Sequence, residues 1–418
     1  MKAHRAVPLL LTLCLAASNL QAQDPKGSEL RINPRTAGAQ GSPDVATAAD
    51  GSFVVVWVER DTQSEAAFFA MARLFDAAGR PRGGEIRVAR LTIPWFWRLA
   101  VAMAPDGRFV VVWGSGREGE SDVFGRRFAA DGSPLGPRFR LARNATRRQE
   151  QPDVAIAADG SFVTVWTQAV EGNAEVNTDV YLRRFGPDGR PRGPEAVAIG
   201  LHEEDSAPQV AMRPNGDFVV VCQHWIDPYA IVARVFSRAG DPGDEFLVSD
   251  GPNQFGRQDD AAVAIAADGR FAVAWTDSGA DSARDPSLIG TDSSTGIAVR
   301  FYAADGIPLG PGFSVNAFLP GVQSGSAVTA LQNGGFLVLW TSGAGQDGDG
   351  SGIFARTYAA DGTPRGREIR INLNRTGSQQ SPAVAVAPNG KGAGAWSGPD
   401  GDGTGIFARL IGIPRQGS

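Results

Sequence analysis

The stretch from Asp50 to Trp57, Asp-Gly-Ser-Phe-Val-Val-Val-Trp, constrains the fold more than any other, because six further versions of it follow at intervals of 53 to 65 residues. Their turn glycines are Gly107, Gly160, Gly216, Gly269, Gly334 and Gly390, and all but one of them close on a tryptophan: Trp113, Trp166, Trp275, Trp340 and Trp396. Cys222 takes that place in the fourth copy. A period of this length marks stacked supersecondary units that bury a core only together.

Each repeat reads as four short strands. In the third, Pro152 to Ala157, Phe162 to Trp166, Asp179 to Phe185 and Glu195 to Ile199 are strand-like, with tight turns at Asp159-Gly160 and Asp188-Gly189. Asp-Gly between β-rich runs favours a hairpin because both central residues tolerate positive φ. The second strand is apolar on both sides, with Phe53, Val55 and Trp57 on one and Val54 and Val56 on the other, so both faces must be covered. Four-stranded sheets of about 50 residues packed face to face are the blades of a β-propeller.

The start of the chain shows how the ring closes. Glu29-Leu30-Arg31-Ile32-Asn33 is matched by Glu368-Ile369-Arg370-Ile371-Asn372, and Gly38, Gln40, Ser42 and Pro43 by Gly377, Gln379, Ser381 and Pro382. The seventh repeat has a third strand at Gly405 to Leu410 and no room for a fourth. The sequence therefore predicts an all-β, seven-bladed β-propeller with four antiparallel strands per blade, the N-terminal strand 29–33 completing the last blade and leaving no open edge. Two blades depart from the pattern. Gly392-Ala393-Gly394-Ala395 is poor in side chains, and Cys222 in place of Trp would leave a hole of the kind that costs about 3–5 kcal/mol, which Trp225 is placed to fill.

The segment boundaries follow. Lys2, His4 and Arg5, the apolar run Ala6 to Ala17 and the site Leu20-Gln21-Ala22 read as a secretory signal over 1–22, followed by a linker at 23–28, the propeller at 29–412 and a tail at 413–418. The expected location is secreted, periplasmic or cell-surface, as a monomer without a transmembrane segment in the mature chain. Cys14 lies inside the apolar run behind Leu13, which argues against lipidation, and Cys222 alone cannot build a disulfide framework. A net charge of -5 gives no basic face for nucleic acid. All basic residues except Lys2, Lys26 and Lys391 are Arg, which reads as coding bias.

In a propeller the loops from second to third strand and from fourth strand to the next blade share one face. Here that face carries the irregular loops, so binding belongs there. Asp347-Gly348-Asp349-Gly350-Ser351-Gly352 recurs as Asp400-Gly401-Asp402-Gly403-Thr404-Gly405. Asp347, Asp349, Asp400 and Asp402 at alternating positions are candidate ligands for Ca²⁺, and the competing reading is a pair of turns capped by their own aspartates. Trp95, Phe96 and Trp97 before the second blade, and His224, Trp225 and Tyr229 in the fourth, either stack on sugars as candidate ligand-binding residues or plug gaps between blades. Gln40, Gln149, Gln258, Gln323 and Gln379 recur just before the first strand, which points to a structural hydrogen bond.

The run from Trp340 through Gln346-Asp347-Gly348 to Gly352-Ile353-Phe354-Ala355-Arg356 and Tyr358 resembles a repeat of large exported bacterial proteins, and more remotely the calcium-loop propellers of the integrin α type, whose Phe-Gly and Gly-Ala-Pro signatures are absent. The resemblance implies a secreted propeller, often attached to surface or adhesive proteins, with no assigned activity.

For catalysis the inventory is thin. His202 and His224 are the only histidines beyond the leader, and no residue is assigned as catalytic. The sequence thus favours a non-catalytic binding or adhesion module with a glycan or protein ligand on the loop face. The alternative is a glycan-active hydrolase or lyase using loop-face carboxylates such as Glu203, Glu204, Asp205, Asp259 and Asp260. Two or three carboxylates and an Arg converging at the mouth of the central channel would favour catalysis, whereas a flat aromatic surface would favour binding.

Overall fold

The Asp-Gly motif folds as its chemistry dictates. Asp50 Oδ1 accepts the backbone N–H of Ser52 at 2.8 Å and its hydroxyl at 2.6 Å, and Gly51 takes a φ of +84° that L side chains resist. Asp159 caps Ser161 in the same way. In blades one to five the phenylalanine that follows the turn stacks on a third-strand ring, in Phe53–Phe75, Phe109–Phe128, Phe162–Phe185, Phe218–Phe236 and Phe271–Tyr302, with centroids 4.7–4.9 Å apart.

The structure is a computed structural model that describes residues 27–412 apart from 63–66, 93–97, 118–119, 144–146, 171–176, 201–203, 226–228, 250–256, 282–283 and 285–294. The leader expected over 1–22 and the tail over 413–418 lie outside the described residues. Seven four-stranded antiparallel sheets make the ring. Blade one is Gln40–Thr47, Phe53–Arg60, Ala67–Phe75 and Ile86–Thr92, paired in that order. In blade seven Gln380–Val386, Lys391–Pro399 and Thr404–Gly412 are completed by Leu30–Arg31 from the other end of the chain, with Leu30 opposite Ala408 and Arg31 opposite Phe407. This is the closure that the duplicated Glu-x-Arg-Ile-Asn motif predicts. Among the described residues, no helix is long and apolar enough to cross a membrane.

Seven apolar clusters hold the ring, one at each junction between neighbouring blades. The doubly apolar second strand explains them. Val54 and Val56 pack toward blade two, while Phe53, Val55 and Trp57 pack toward blade seven. Each core tryptophan lies against the preceding blade, where removing such a ring costs about 3–5 kcal/mol. In blade seven, Ala393, Ala395 and Trp396 are fully buried.

A second tie crosses every junction, and it corrects the dismissal of the arginine bias. Arg73, Arg126, Arg183, Arg234, Arg300, Arg356 and Arg409 occupy the same third-strand position. Each donates through a terminal guanidinium nitrogen to a carbonyl at the outer edge of the preceding blade, at 2.7–3.3 Å. Six of them also lie over the aromatic ring two residues on, at 5.5–6.0 Å. A planar guanidinium can donate and stack at once, which an ammonium cannot. The Arg-x-Phe/Tyr spacing was present in the sequence as the signal.

Candidate functional site

The residues that meet at the channel are delivered by a repeated irregularity in the inner strands. In blade one Gly41 pairs Val58 and Asp44 pairs Val56, so Ser42 and Pro43 together stand opposite Trp57. The same bulge sits opposite the core position in blades three to seven. Its first residue has positive φ: 51° at Ser42, 51° at Gln151, 48° at Ala207, 49° at Asp260, 63° at Gly325 and 55° at Ser381. For a residue with a Cβ this conformation is strained, and such strain gathers at functional sites. A proline follows in four blades, Pro43, Pro152, Pro208 and Pro382, where the broken ladder asks for no N–H.

The bulges turn side chains into a cavity of about 500 Å³ at the loop-face mouth of the channel, lined among others by Asp44, Arg98, Gln151, Asp153, Gln209 and Asp260. Asp44 accepts the N–H of Val45 and of Val101, both at 2.8 Å, so one carboxylate ties blade one to blade two. Asp153 likewise takes the N–H of Val210 at 2.8 Å, tying blade three to blade four. Arg98 of blade two donates to the Pro208 carbonyl of blade four at 2.9 Å. The carboxylate of Asp260 faces the cavity solvent and makes no hydrogen bond among the described residues; its main-chain carbonyl accepts the Ser326 hydroxyl at 3.0 Å.

The electrostatics follow from enclosure. Burial pushes Asp44 up to about 7, with the charge of Asp153 adding to the rise and the N–H groups of Val101 and Val45 and the Arg98 guanidinium opposing it. Burial also raises Asp153 and Asp260, and Arg98 opposes the rise in both. Asp44 is part-exposed and Asp260 exposed at the cavity, yet both are ringed by protein, so they are accessible and poorly solvated at once. A carboxylic acid protonated near neutrality beside ionisable carboxylates and one cation can give and take protons at a bound ligand.

The residues expected from sequence fall into separate groups. Trp95, Phe96, Trp97, His202 and Glu203 lie outside the described residues. Trp225 is 40% exposed and does not fill the space beside Cys222, which corrects that expectation. Cys222 instead packs among aliphatic side chains of blades three and four, beside a buried pair in which His224 Nδ1 and Asp205 Oδ1 are 2.7 Å apart. His224 is turned inward, while Tyr229 stays half-buried beside Trp225. Asp259 is held by Arg257 at 2.8 Å.

The repeated Asp-Gly loops place their carboxylates on protein partners. Asp347 accepts from Asn372 at 2.8 Å and Asp400 from Arg31 at 2.5 Å. Each also caps the N–H two residues on, at Asp349 and Asp402, while Asp349 itself caps Gly377. Asp281 makes the matching contact with Asn316 in blade five, at 2.7 Å. Among the described residues no group of three or more His, Cys, Asp or Glu side chains is arranged to hold a metal ion. Gln40 and Gln379 behave as structural ties, each accepting from the asparagine that ends the preceding outer strand, Asn33 or Asn372, at 2.9 Å.

Asp44, Asp153 and Arg98 belong to no catalytic motif, and Asp44 and Asp153 stand within the first strand of their repeats, where a polar residue on a strand face is ordinary. The signal was disagreement among copies: Pro-Asp at Pro43-Asp44 and Pro152-Asp153 where other blades have Pro208-Gln209 or Pro382-Ala383.

No protein-family model and no curated protein sequence matches the chain, so the likeness to exported bacterial repeats rests on its motifs alone. Similar solved structures are a polysaccharide lyase, described as an ulvan lyase of family PL25 bound to -[GlcA(1-4)Rha3S]- (TM-score 0.56, 9% identity, covering 94% of this chain and 96% of that one); an α-L-arabinanase of Penicillium chrysogenum complexed with arabinobiose (0.53, 13%, 77% and 95%); and a protein of unknown function from Dyadobacter fermentans (0.53, 11%, 92% and 98%). At these identities the likeness establishes the propeller fold.

Proposed function

We propose that this propeller is a glycan-active enzyme working at the channel mouth, with Asp44, Asp153 and Asp260 as its acid and base groups and Arg98 as the cation among them. The observation that carries this reading is that those four side chains line one open cavity. It is the arrangement that separates catalysis from a flat binding surface, and the neighbouring folds that act on arabinan and ulvan are consistent with it.

Hydrolysis fits the donor set better than elimination. Cleaving a glycosidic bond needs one carboxyl group that holds its proton to protonate the leaving oxygen, and a second that is ionised to activate water or attack the sugar. Asp44, raised to about 7, supplies the first; for the second we assign Asp260, whose rise from burial and the charge of Asp259 is opposed by Arg98 and Arg257. The two N–H groups on Asp44 fix the orientation of the acid. Elimination from a uronate instead needs the substrate carboxylate neutralised, and a mouth with three carboxyl groups against one Arg disfavours a polyanion. The substrate class is therefore a neutral glycan.

The test is release of reducing ends from neutral and uronate-bearing polysaccharides, with ultraviolet absorbance reporting unsaturated products. Asp260→Asn and Asp44→Asn should each lower hydrolysis by roughly 10²-fold or more. Activity unchanged in both variants, or products with unsaturated ends, would sink the reading. Glycan binding without any product would return the protein to the adhesion class.

A further inference from the structure

We propose that Trp225 is a stacking platform at the rim of the mouth, holding a neutral sugar unit of the same glycan chain whose reacting bond lies among Asp44, Asp153 and Asp260; the proposal rests on the mouth being a glycan site. The other tryptophans among the described residues, six in all, are 0–4% exposed, whereas Trp225 is 40% exposed. Blade four is the blade whose core position holds Cys222 instead of Trp, and the indole three residues away still faces solvent.

Tyr229 braces the indole and is itself held across a blade junction. Tyr229 meets the indole edge-on, with centroids 4.5 Å apart and planes at 73°. The Tyr229 hydroxyl donates to Glu204 Oε2 at 2.9 Å, and the Arg257 guanidinium covers the Tyr229 ring at 4.8 Å. Arg257 and Gln223 both donate to Asp259, at 2.8 and 2.5 Å. Asp259 precedes Asp260, which lines the cavity, so a chain of contacts through Arg257 and Asp259 links the aromatic pair to the mouth. A rigid apolar face kept in water beside carboxylate and guanidinium groups suits a sugar. The C–H face of the sugar covers the indole, and its hydroxyls meet Glu204 and Arg257.

The experiment is native electrophoresis of the full chain through gels containing arabinan, xylan or galactomannan as neutral probes, and ulvan as an acidic one. Wild type is expected to be retarded by a neutral polymer. Trp225→Ala should weaken that affinity roughly tenfold, with an unchanged melting temperature, and Trp225→Phe should keep part of it. Tyr229→Phe, which loses only the bond to Glu204, should fall between. Full retardation of Trp225→Ala, no retardation of wild type by any polymer, or retardation by ulvan alone each overturns the proposal. Assaying reducing ends on the same proteins keeps the two readings apart. Trp225-dependent retardation without product release supports the platform and sinks the hydrolase.

Discussion

Asp44 joins fold and chemistry in one side chain. It latches blade one to blade two through Val101, and the same enclosure lifts it from 3.8 to about 7. Because the folded chain keeps this proton and the unfolded chain sheds it near 3.8, the contribution of Asp44 to stability is complete below that value and is lost as pH rises through about 7. Asp277 and Asp281, lifted by burial to about 6, add a decline at lower pH. Urea midpoints should therefore fall between about pH 4 and 7 and level off above that range. Asp44→Ala should be less stable at the acidic end, where Val101 loses its acceptor, and should lack the part of the decline nearest 7. An identical pH profile in the variant would refute the assignment. The same titration should set the alkaline limb of glycan hydrolysis, which requires the protonated acid. None of this was legible from residue types. A buried carboxylate latch and an acidic loop residue look alike in sequence, and Asp44 sits at a rung that carries Asp153 in the third copy but Gln209 or Ala383 in others.

At the scale of the strand, periodicity carried most of the fold and too little of the ties between blades. The run Phe53 to Trp57 is apolar on both faces, and the structure sets it between two neighbours. The third strand carried an equally regular message in Arg-x-Phe/Tyr, and there the positive charge is spent on a backbone carbonyl of the preceding blade. Arg300 is the clearest case. It is 7% exposed, donates through Nε to Gly310 at 3.1 Å and through a terminal nitrogen to Val248 at 3.0 Å, and lies over Tyr302. A lysine cannot make both bonds, so Arg300→Lys should cost about 2 kcal/mol in urea unfolding. Arg270→Lys, which alters an ion pair with Asp268 inside one turn, should stay within about 1 kcal/mol of wild type. Equal effects at both sites would show that the third-strand arginines do not tie the ring.

Ring closure decides whether the site exists at all, because the mouth gathers Asp44, Arg98, Asp153 and Asp260 from blades one, two, three and five. The join depends on a short segment. Leu30–Arg31 pairs Thr404–Gly412, Ile32 is fully buried and donates to Ile406 at 2.9 Å, Asn33 accepts the N–H of Ile406 at 2.7 Å, and Arg31 reaches Asp400. From the first blade Arg73 donates to Ile32 at 2.7 Å, so the segment holds blade seven and blade one together. Removing residues 1–34 strips the last blade of its outer strand and leaves the edge of Thr404–Gly412 unpaired, an invitation to association between chains. The truncated protein should melt earlier, aggregate on heating and lose glycan hydrolysis before it loses its β-sheet circular dichroism signal, since the mouth widens before the blades come apart. A synthetic peptide spanning residues 27–34 should bind the vacated edge and raise the melting temperature in proportion to the logarithm of its concentration once binding saturates, as any ligand of the folded state does. A peptide with Ile32→Asp, which places a charge in the buried seat of Ile32, should fail to rescue. Truncation without loss of melting temperature, or rescue by both peptides alike, would mean that the ring is held shut by the packing between blades alone and that the duplicated Glu-x-Arg-Ile-Asn motif adds nothing to closure.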